Sequence, residues 1–329
     1  MYGGLSHKTK QFLSGLIKVS ILFGASYFVY DKLANNDTLD LQEFLKTIGN
    51  SPIMEQGNIM AILGLTFLNW SLEVYKWKTL VSTLKKITFR DALEQSLGAM
   101  TASLVTPNRI GEYGAKAIYY KREYRSKVMF LTLWGNMMQM LVTLLIGTLG
   151  FLVMVDQFDI TMISHKIVRA ATVVALFVAL GIAGSQQRAL RIKGFSFARI
   201  KGFVKRIPFF THAQICVVSI LRYAVFSFQF YFLLTLSGIE IAYMDAMIGI
   251  SSMYLLASVV PTLTLFDVVI KSTAAVWVFG FFGVDELTIL SVSTLMWLLN
   301  FILPSIFGGY YVLNFKLNTV EDDPKISVE

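Results

Sequence analysis

Arg109, Glu112 and Lys116 lie within Ser103-Leu-Val-Thr-Pro-Asn-Arg-Ile-Gly-Glu-Tyr-Gly-Ala-Lys116, a short charged segment in an otherwise oily chain. Charge at membrane depth is costly and persists mainly where it faces a partner or a watery cavity. Arg109 follows Pro107 and Asn108, which suit the start of a helix. A helix N-terminus offers partial positive charge and free N–H groups. Gly111 and Gly114 add no side-chain bulk, so a ligand or another backbone can come close. The chemistry this assembles is capture of an anionic group such as phosphate, for which the guanidinium of Arg109 supplies a planar, bidentate fork. A plainer reading pairs Arg109 with Glu112 at i,i+3 and Glu112 with Lys116 at i,i+4, with no ligand involved. For Glu112 and Lys116 the pairing is preferred; for Arg109, ligand contact.

A second segment, Ser258-Val-Val-Pro-Thr-Leu-Thr-Leu-Phe-Asp-Val-Val-Ile-Lys271, repeats the pattern. Shifted by 155 residues, Ser103 lies on Ser258, Glu112 on Asp267 and Lys116 on Lys271, and Pro261 stands near the place of Pro107. Two polar, proline-broken segments at matching places in two halves are the sequence pointer to a transport site. Asp267 reads equally as a coupling site for a proton or cation and as the internal partner of Lys271. Arg222 sits about ten residues into an apolar run, too deep for easy snorkelling, with Gln229 two turns later. It either lines a cavity or neutralises Glu112 or Asp267. Glu73, with Asn69 and Trp70, reads as a snorkelling residue near the end of a span.

The elements that must position these residues are helices in a membrane. Hydrophobic residues make up 55% and charged residues only 15% of the 329, where a soluble domain carries about a quarter charged residues. Several apolar runs reach the roughly 20 residues needed to cross a bilayer. The expected fold is an all-α polytopic bundle with spans at 11–30, 57–75, 128–153, 167–185, 212–236 and 287–313. Between them, 91–120 and 245–280 each read as two half-length helices meeting at a proline-containing break, two re-entrant hairpins buried by protein or reached by water. The bundle occupies 1–320 as a single domain, with halves at 57–153 and 212–313 and a polar tail at 321–329.

Loop charge sets the orientation. Lys76, Lys78, Lys85, Lys86 and Arg90 fall in one loop, Lys121, Arg122, Arg125 and Lys127 in the next, and a third basic loop spans 188–206. Such loops face the cytoplasm. With six spans and two hairpins every basic loop lands on one side, both ends of the chain are cytoplasmic, and the hairpins enter from opposite faces as an inverted repeat. The first apolar run reads as an uncleaved signal-anchor. The net charge of +8 is explained by this topology, not by nucleic-acid binding. Trp77, Tyr119, Tyr120, Tyr310 and Tyr311 fit an aromatic belt. Three scattered histidines and the single Cys216 argue against a metal site or an internal disulfide. No catalytic constellation, nucleotide-binding glycine pattern or cofactor motif is present, so the chain reads as a non-enzyme without a cofactor.

At Thr106-Pro-Asn-Arg-Ile-Gly-Glu-Tyr113 the chain resembles the flippase-like integral membrane proteins related to the membrane domain of lysylphosphatidylglycerol synthase. Members carry Thr-Pro-Gly-Arg-Ile/Leu-Gly-Glu after a segment similar to Asn69-Trp-Ser-Leu-Glu-Val-Tyr-Lys-Trp77. Arg109, Gly111 and Glu112 match; Asn108 replaces a glycine, and Thr262 and Leu263 stand where family members often have glycines. The resemblance implies lipid translocation, or handling of lipid-linked precursors, in a bacterial inner membrane, without aminoacylation.

The leading expectation is a transporter whose polar cavity takes an anionic lipid headgroup, with Arg109, Glu112, Lys116, Arg222, Asp267 and Lys271 around it. The alternatives are an ion-coupled transporter of a small anionic solute, and a non-catalytic membrane partner of a lipid-modifying glycosyltransferase. Anionic lipids are the expected partners, with a homo-oligomer and a lipid-modifying enzyme left open.

Overall fold

The computed structural model describes Gly49 and residues 51–104, 106, 110–160, 207–259 and 267–315. The expected spans at 11–30 and 167–185 and the tail lie outside them. Apart from turns, the described residues are helical: α1 (Gln56–Val81), α2 (Phe89–Leu104), α3 (Ile110–Ala117), α4 (Arg122–Gln157), α5 (Phe209–Leu236), α6 (Tyr243–Val259), α7 (Asp267–Gly280), α8 (Glu286–Trp297) and α9 (Leu303–Asn314), with a π-helical turn at Leu298–Ile302 joining the last two.

Local chemistry sets several helix ends. Thr88 and Asp91 form a reciprocal capping box at the start of α2, with Asp91 N donating to Thr88 Oγ1 at 3.1 Å and Thr88 N donating to Asp91 Oδ2 at 2.9 Å. Asp285 caps α8 by accepting from Thr288 N. Gly238, at φ +82°, ends α5 in the left-handed conformation that glycine adopts without steric cost.

Among the described residues, three helical segments are long and apolar enough to cross a membrane: Arg122–Gln157, Phe209–Leu236 and Glu286–Asn314. The 36-residue α4 is about 54 Å long at ~1.5 Å per residue, well beyond a ~30 Å hydrocarbon core. The overhang suits its first turns, where Arg122, Glu123, Arg125 and Lys127 cluster.

α2 and α3 fold back on one another. A Cβ on Gly111 would lie 2.6 Å from Ala102 O, while farther along Tyr120 Oη donates to Gln95 Oε1 at 2.9 Å. α6 and α7 do the same: a Cβ on Gly249 would sit 3.1 Å from the Phe279 ring. Each helical pair is therefore antiparallel about the stretch that separates its members.

The packing exchanges partners between the two halves. α1 lies against α5, α2 against α9, and α6 against α4. The main apolar core gathers α4, α5, α6, α7 and α8 around Phe151, Phe230, Met253, Phe279 and Met296. A second core beneath α1, α2 and α4 holds Val74, Trp77, Leu80 and Leu131.

Close helix contact depends on small residues, as in membrane bundles generally. A Cβ on Gly147 would meet Leu255 Cβ at 2.8 Å, and one on Gly308 would collide with Leu97 O and Thr101 Oγ1. Gly308→Ala should therefore destabilise the protein by about 1–3 kcal/mol through overpacking. Gly64→Ala, with open space around it, should leave stability unchanged or raise it. Thermal unfolding in detergent would compare the two; equal midpoints would mean that α2 and α9 tolerate a wider separation.

Candidate functional site

The site begins on one face of α1. Ile62, Thr66, Asn69, Glu73, Lys76 and Leu80 are all buried and recur at helical spacing, so one stripe is apolar at its ends and polar in the middle. Buried polar groups require partners, and α5, the π-turn and α1 itself supply them. Glu73 Oε2 is 2.7 Å from Lys76 Nζ and 2.5 Å from Arg222 Nη1. Arg222 Nε donates to Asn69 Oδ1 at 3.0 Å, and Asn69 Nδ2 donates to Asn300 Oδ1 at 2.8 Å. Asn300 Nδ2 donates to Gln229 Oε1 at 2.9 Å, and Gln229 Nε2 reaches Thr66 Oγ1 at 2.8 Å. An unbroken chain of polar contacts thus runs from Lys76 to Thr66 through the centre of the bundle.

Asn300 takes part because the last helix is interrupted there. Pro304 has no N–H to offer the carbonyl four residues earlier, which is that of Asn300. That carbonyl instead accepts from Trp70 Nε1 at 3.1 Å. The π-turn thereby ties the C-terminal rod to α1.

A second cluster lies close to Glu73. Lys116 Nζ is 2.9 Å from Glu112 Oε1, with both side chains buried, and 4.4 Å from the centre of the Trp77 ring. Gln95 Oε1 accepts from Trp77 Nε1 at 2.8 Å and from Tyr120 Oη, joining α1, α2 and the turn after α3.

Two cavities flank Trp70, Met100 and Arg222, which line both. The larger, about 130 Å³, also has Tyr254, Lys271, Ser293, Trp297 and Asn300 on its wall. The smaller, about 30 Å³, is bounded by Glu73, Ser96, Glu112, Lys116 and Asn136. Such a space accommodates about one water molecule.

The structure brings together Glu112, Lys116 and Arg222 around the small cavity, and Arg222 and Lys271 around the large one. Arg222 lines both cavities, and among the described residues the carboxylate paired with it is Glu73, where the sequence offered Glu112 or Asp267 as the alternative to cavity lining. Glu73 does not snorkel: it is 8% exposed and held between two cations. Lys76 is not a loop residue, since α1 runs on to Val81 and buries it. Trp77 and Tyr120 are core residues rather than belt residues, at 1% and 4% exposed. Gly111 serves a backbone contact: its N–H donates to Thr106 Oγ1 at 2.8 Å, and Ala102 O occupies the space a side chain would need. Pro107, Asn108, Arg109, Pro261 and the side chain of Asp267 lie outside the described residues; the backbone of Asp267 begins α7. Among the described residues no three His, Cys, Asp or Glu side chains gather as a metal site.

No family model matches the chain, and no curated protein matches it either.

Removing one member of a buried ion cluster strands the others. Glu73→Gln leaves Lys76 and Arg222 facing each other without a carboxylate, and should cost about 3–5 kcal/mol. Arg222→Gln leaves Glu73 paired with Lys76 and should cost less. Chemical or thermal unfolding of the two variants gives the order; a reversed order would show that Glu73 is not the hub.

Proposed function

We propose that the chain is a flippase-like transporter that moves an anionic lipid or lipid-linked precursor across a bacterial inner membrane. The observation that carries this reading is the charge around the central cavities. Two carboxylates, Glu73 and Glu112, stand among three cations, Lys76, Lys116 and Arg222, and Lys271 lines the larger cavity. Surplus positive charge in a low-dielectric interior is costly and favours an anionic guest.

Packing supports the accompanying architecture of six spans, two re-entrant hairpins and an inverted repeat. Under the 155-residue shift, the end of α1 at Val81 falls on the end of α5 at Leu236, and the end of α2 at Leu104 on the end of α6 at Val259. The exchanged contacts, α2 with α9 and α6 with α4, are those a two-fold relation between halves produces. α1 and α5 are antiparallel, since Gln229 meets Thr66 while Arg222 meets Asn69 and Glu73. Rocking of one repeat against the other would expose the cavity to each face in turn. Arg109 and the start of α3 would hold the headgroup phosphate, with Lys116, Lys271 and Arg222 tuning the field and Asp267 beside Lys271 at the opposite hairpin. The flippase-like family resemblance of the Thr106–Tyr113 motif agrees with this reading.

Translocation of a fluorescent anionic lipid in proteoliposomes tests it. Arg109→Ala and Lys271→Gln should each slow movement at least tenfold, the effect of losing about 1.4 kcal/mol of stabilisation. Rates equal to wild type would remove both residues from the mechanism.

The small volume of the larger cavity, about 130 Å³, favours a second reading, an ion-coupled transporter of a small anionic solute with Asp267 as the coupling group. On that reading Asp267→Asn should abolish the pH dependence of uptake; pH-dependent uptake that survives the change would count against coupling there.

A further inference from the structure

We infer that the larger cavity is an oxyanion site in which the hydroxyls of Tyr254 and Ser293 are the hydrogen-bonding groups that orient a phosphate. The inference rests on the transport reading and adds to it a second point of phosphate contact, in the cavity lined by Arg222 and Lys271, which no described residue of α3 lines. Its starting point is an anomaly. Tyr254 Oη and Ser293 Oγ are buried, and neither has a hydrogen-bond partner. Buried hydroxyls are nearly always satisfied, and an orphan incurs a desolvation penalty. A serine in a helix commonly donates to the carbonyl one turn back, as Ser251, Ser252 and Ser305 do here. Ser293 does not. Tyr254 is packed against the rings of Tyr223, Phe226 and Phe230, which hold it in place.

Both residues line the same cavity, Tyr254 from α6 and Ser293 from α8. The other polar groups on that wall fix the chemistry of the guest. Arg222 and Lys271 line it, and no carboxylate does among the described residues. Arg222 has five N–H donors, of which its bonds to Asn69 and Glu73 use two. A cation in this space would meet two positive charges. An oxyanion would meet two positive charges and two hydroxyl donors. The aromatic side chains of Trp70, Phe226 and Trp297 also line the space, and their low polarity strengthens each of these contacts. A phosphate group, carried by a lipid or free, matches both the charge and the donor pattern.

The experiment uses the full chain in detergent and measures binding by calorimetry, with dihexanoylphosphatidic acid, inorganic phosphate and dihexanoylglycerol as probes. Wild type should bind at least one phosphate-bearing probe and not the uncharged diacylglycerol. Tyr254→Phe and Ser293→Ala should each weaken that binding about tenfold, the order of one hydrogen bond to a charged acceptor. Their unliganded melting points should be unchanged or higher, because each loses only an unsatisfied hydroxyl. Binding of the lipid probe alone would assign the site to a headgroup. Binding of inorganic phosphate as well would assign it to the phosphate group itself. The proposal is overturned if neither phosphate probe binds wild type, if diacylglycerol binds equally well, or if both variants bind as tightly as wild type. Binding that depends on the hydroxyls, with no lipid movement in proteoliposomes, would sink the transport reading and leave the site standing.

Discussion

The carboxylate of Glu73 is the interaction on which the central part of this structure depends. It carries a negative charge into the bundle, with Lys76 one turn away on its own helix and Arg222 across the interface on α5. Desolvating three charges is costly, and their mutual attraction offsets that cost only when the geometry is closely held. The same arrangement fixes how α1 meets α5, since Arg222 can reach Glu73 and Asn69 together only at one register of the two helices. Arg222 also lines both cavities, so the register of these helices sets the shape of both.

Around that contact the fold reconciles two opposing requirements. A polar cavity needs backbone and charge inside the bundle, whereas lipid demands that every backbone group be satisfied within the protein. Short antiparallel helices packed against each other supply partners for such groups. Gly111 and Thr106 show how tightly this is done: the amide at the start of α3 is satisfied by a threonine hydroxyl from across the break. Glycines at the α4–α6 and α2–α9 crossings bring the long helices close enough to seal the rest.

The long apolar helices at 122–157, 209–236 and 286–314 were legible in the sequence because each rests on a local signal, a run of hydrophobic residues. The i,i+4 pairing of Glu112 with Lys116 is local in the same way. Partnerships across helices were not legible. Glu73 and Lys76 looked interfacial because the apolar run fades near residue 75, yet α1 continues to Val81 and places both inside. The missed signal was present: Ile62, Thr66, Asn69, Glu73, Lys76 and Leu80 form one stripe at a period of three to four, so the charged pair belongs to a face whose ends are apolar. Asn300, Tyr254 and Ser293 carried no such mark. An asparagine, a tyrosine or a serine in an apolar run is ordinary, and only the three-dimensional arrangement shows what each faces.

The π-turn at Leu298–Ile302 has a mechanical consequence. A regular helix resists bending because every carbonyl is tied to the amide four residues on; at this level the ties are longer, and Pro304 removes one altogether. The C-terminal rod therefore has a compliant joint partway along its length. Beyond the joint, Thr101 of α2 donates to Ser305 O, and at the joint Trp70 holds Asn300 O. Tilting the outer segment would drag α2 with it while the inner segment stays anchored to α1, which makes the last helix a lever with its fulcrum at the depth of the cavity.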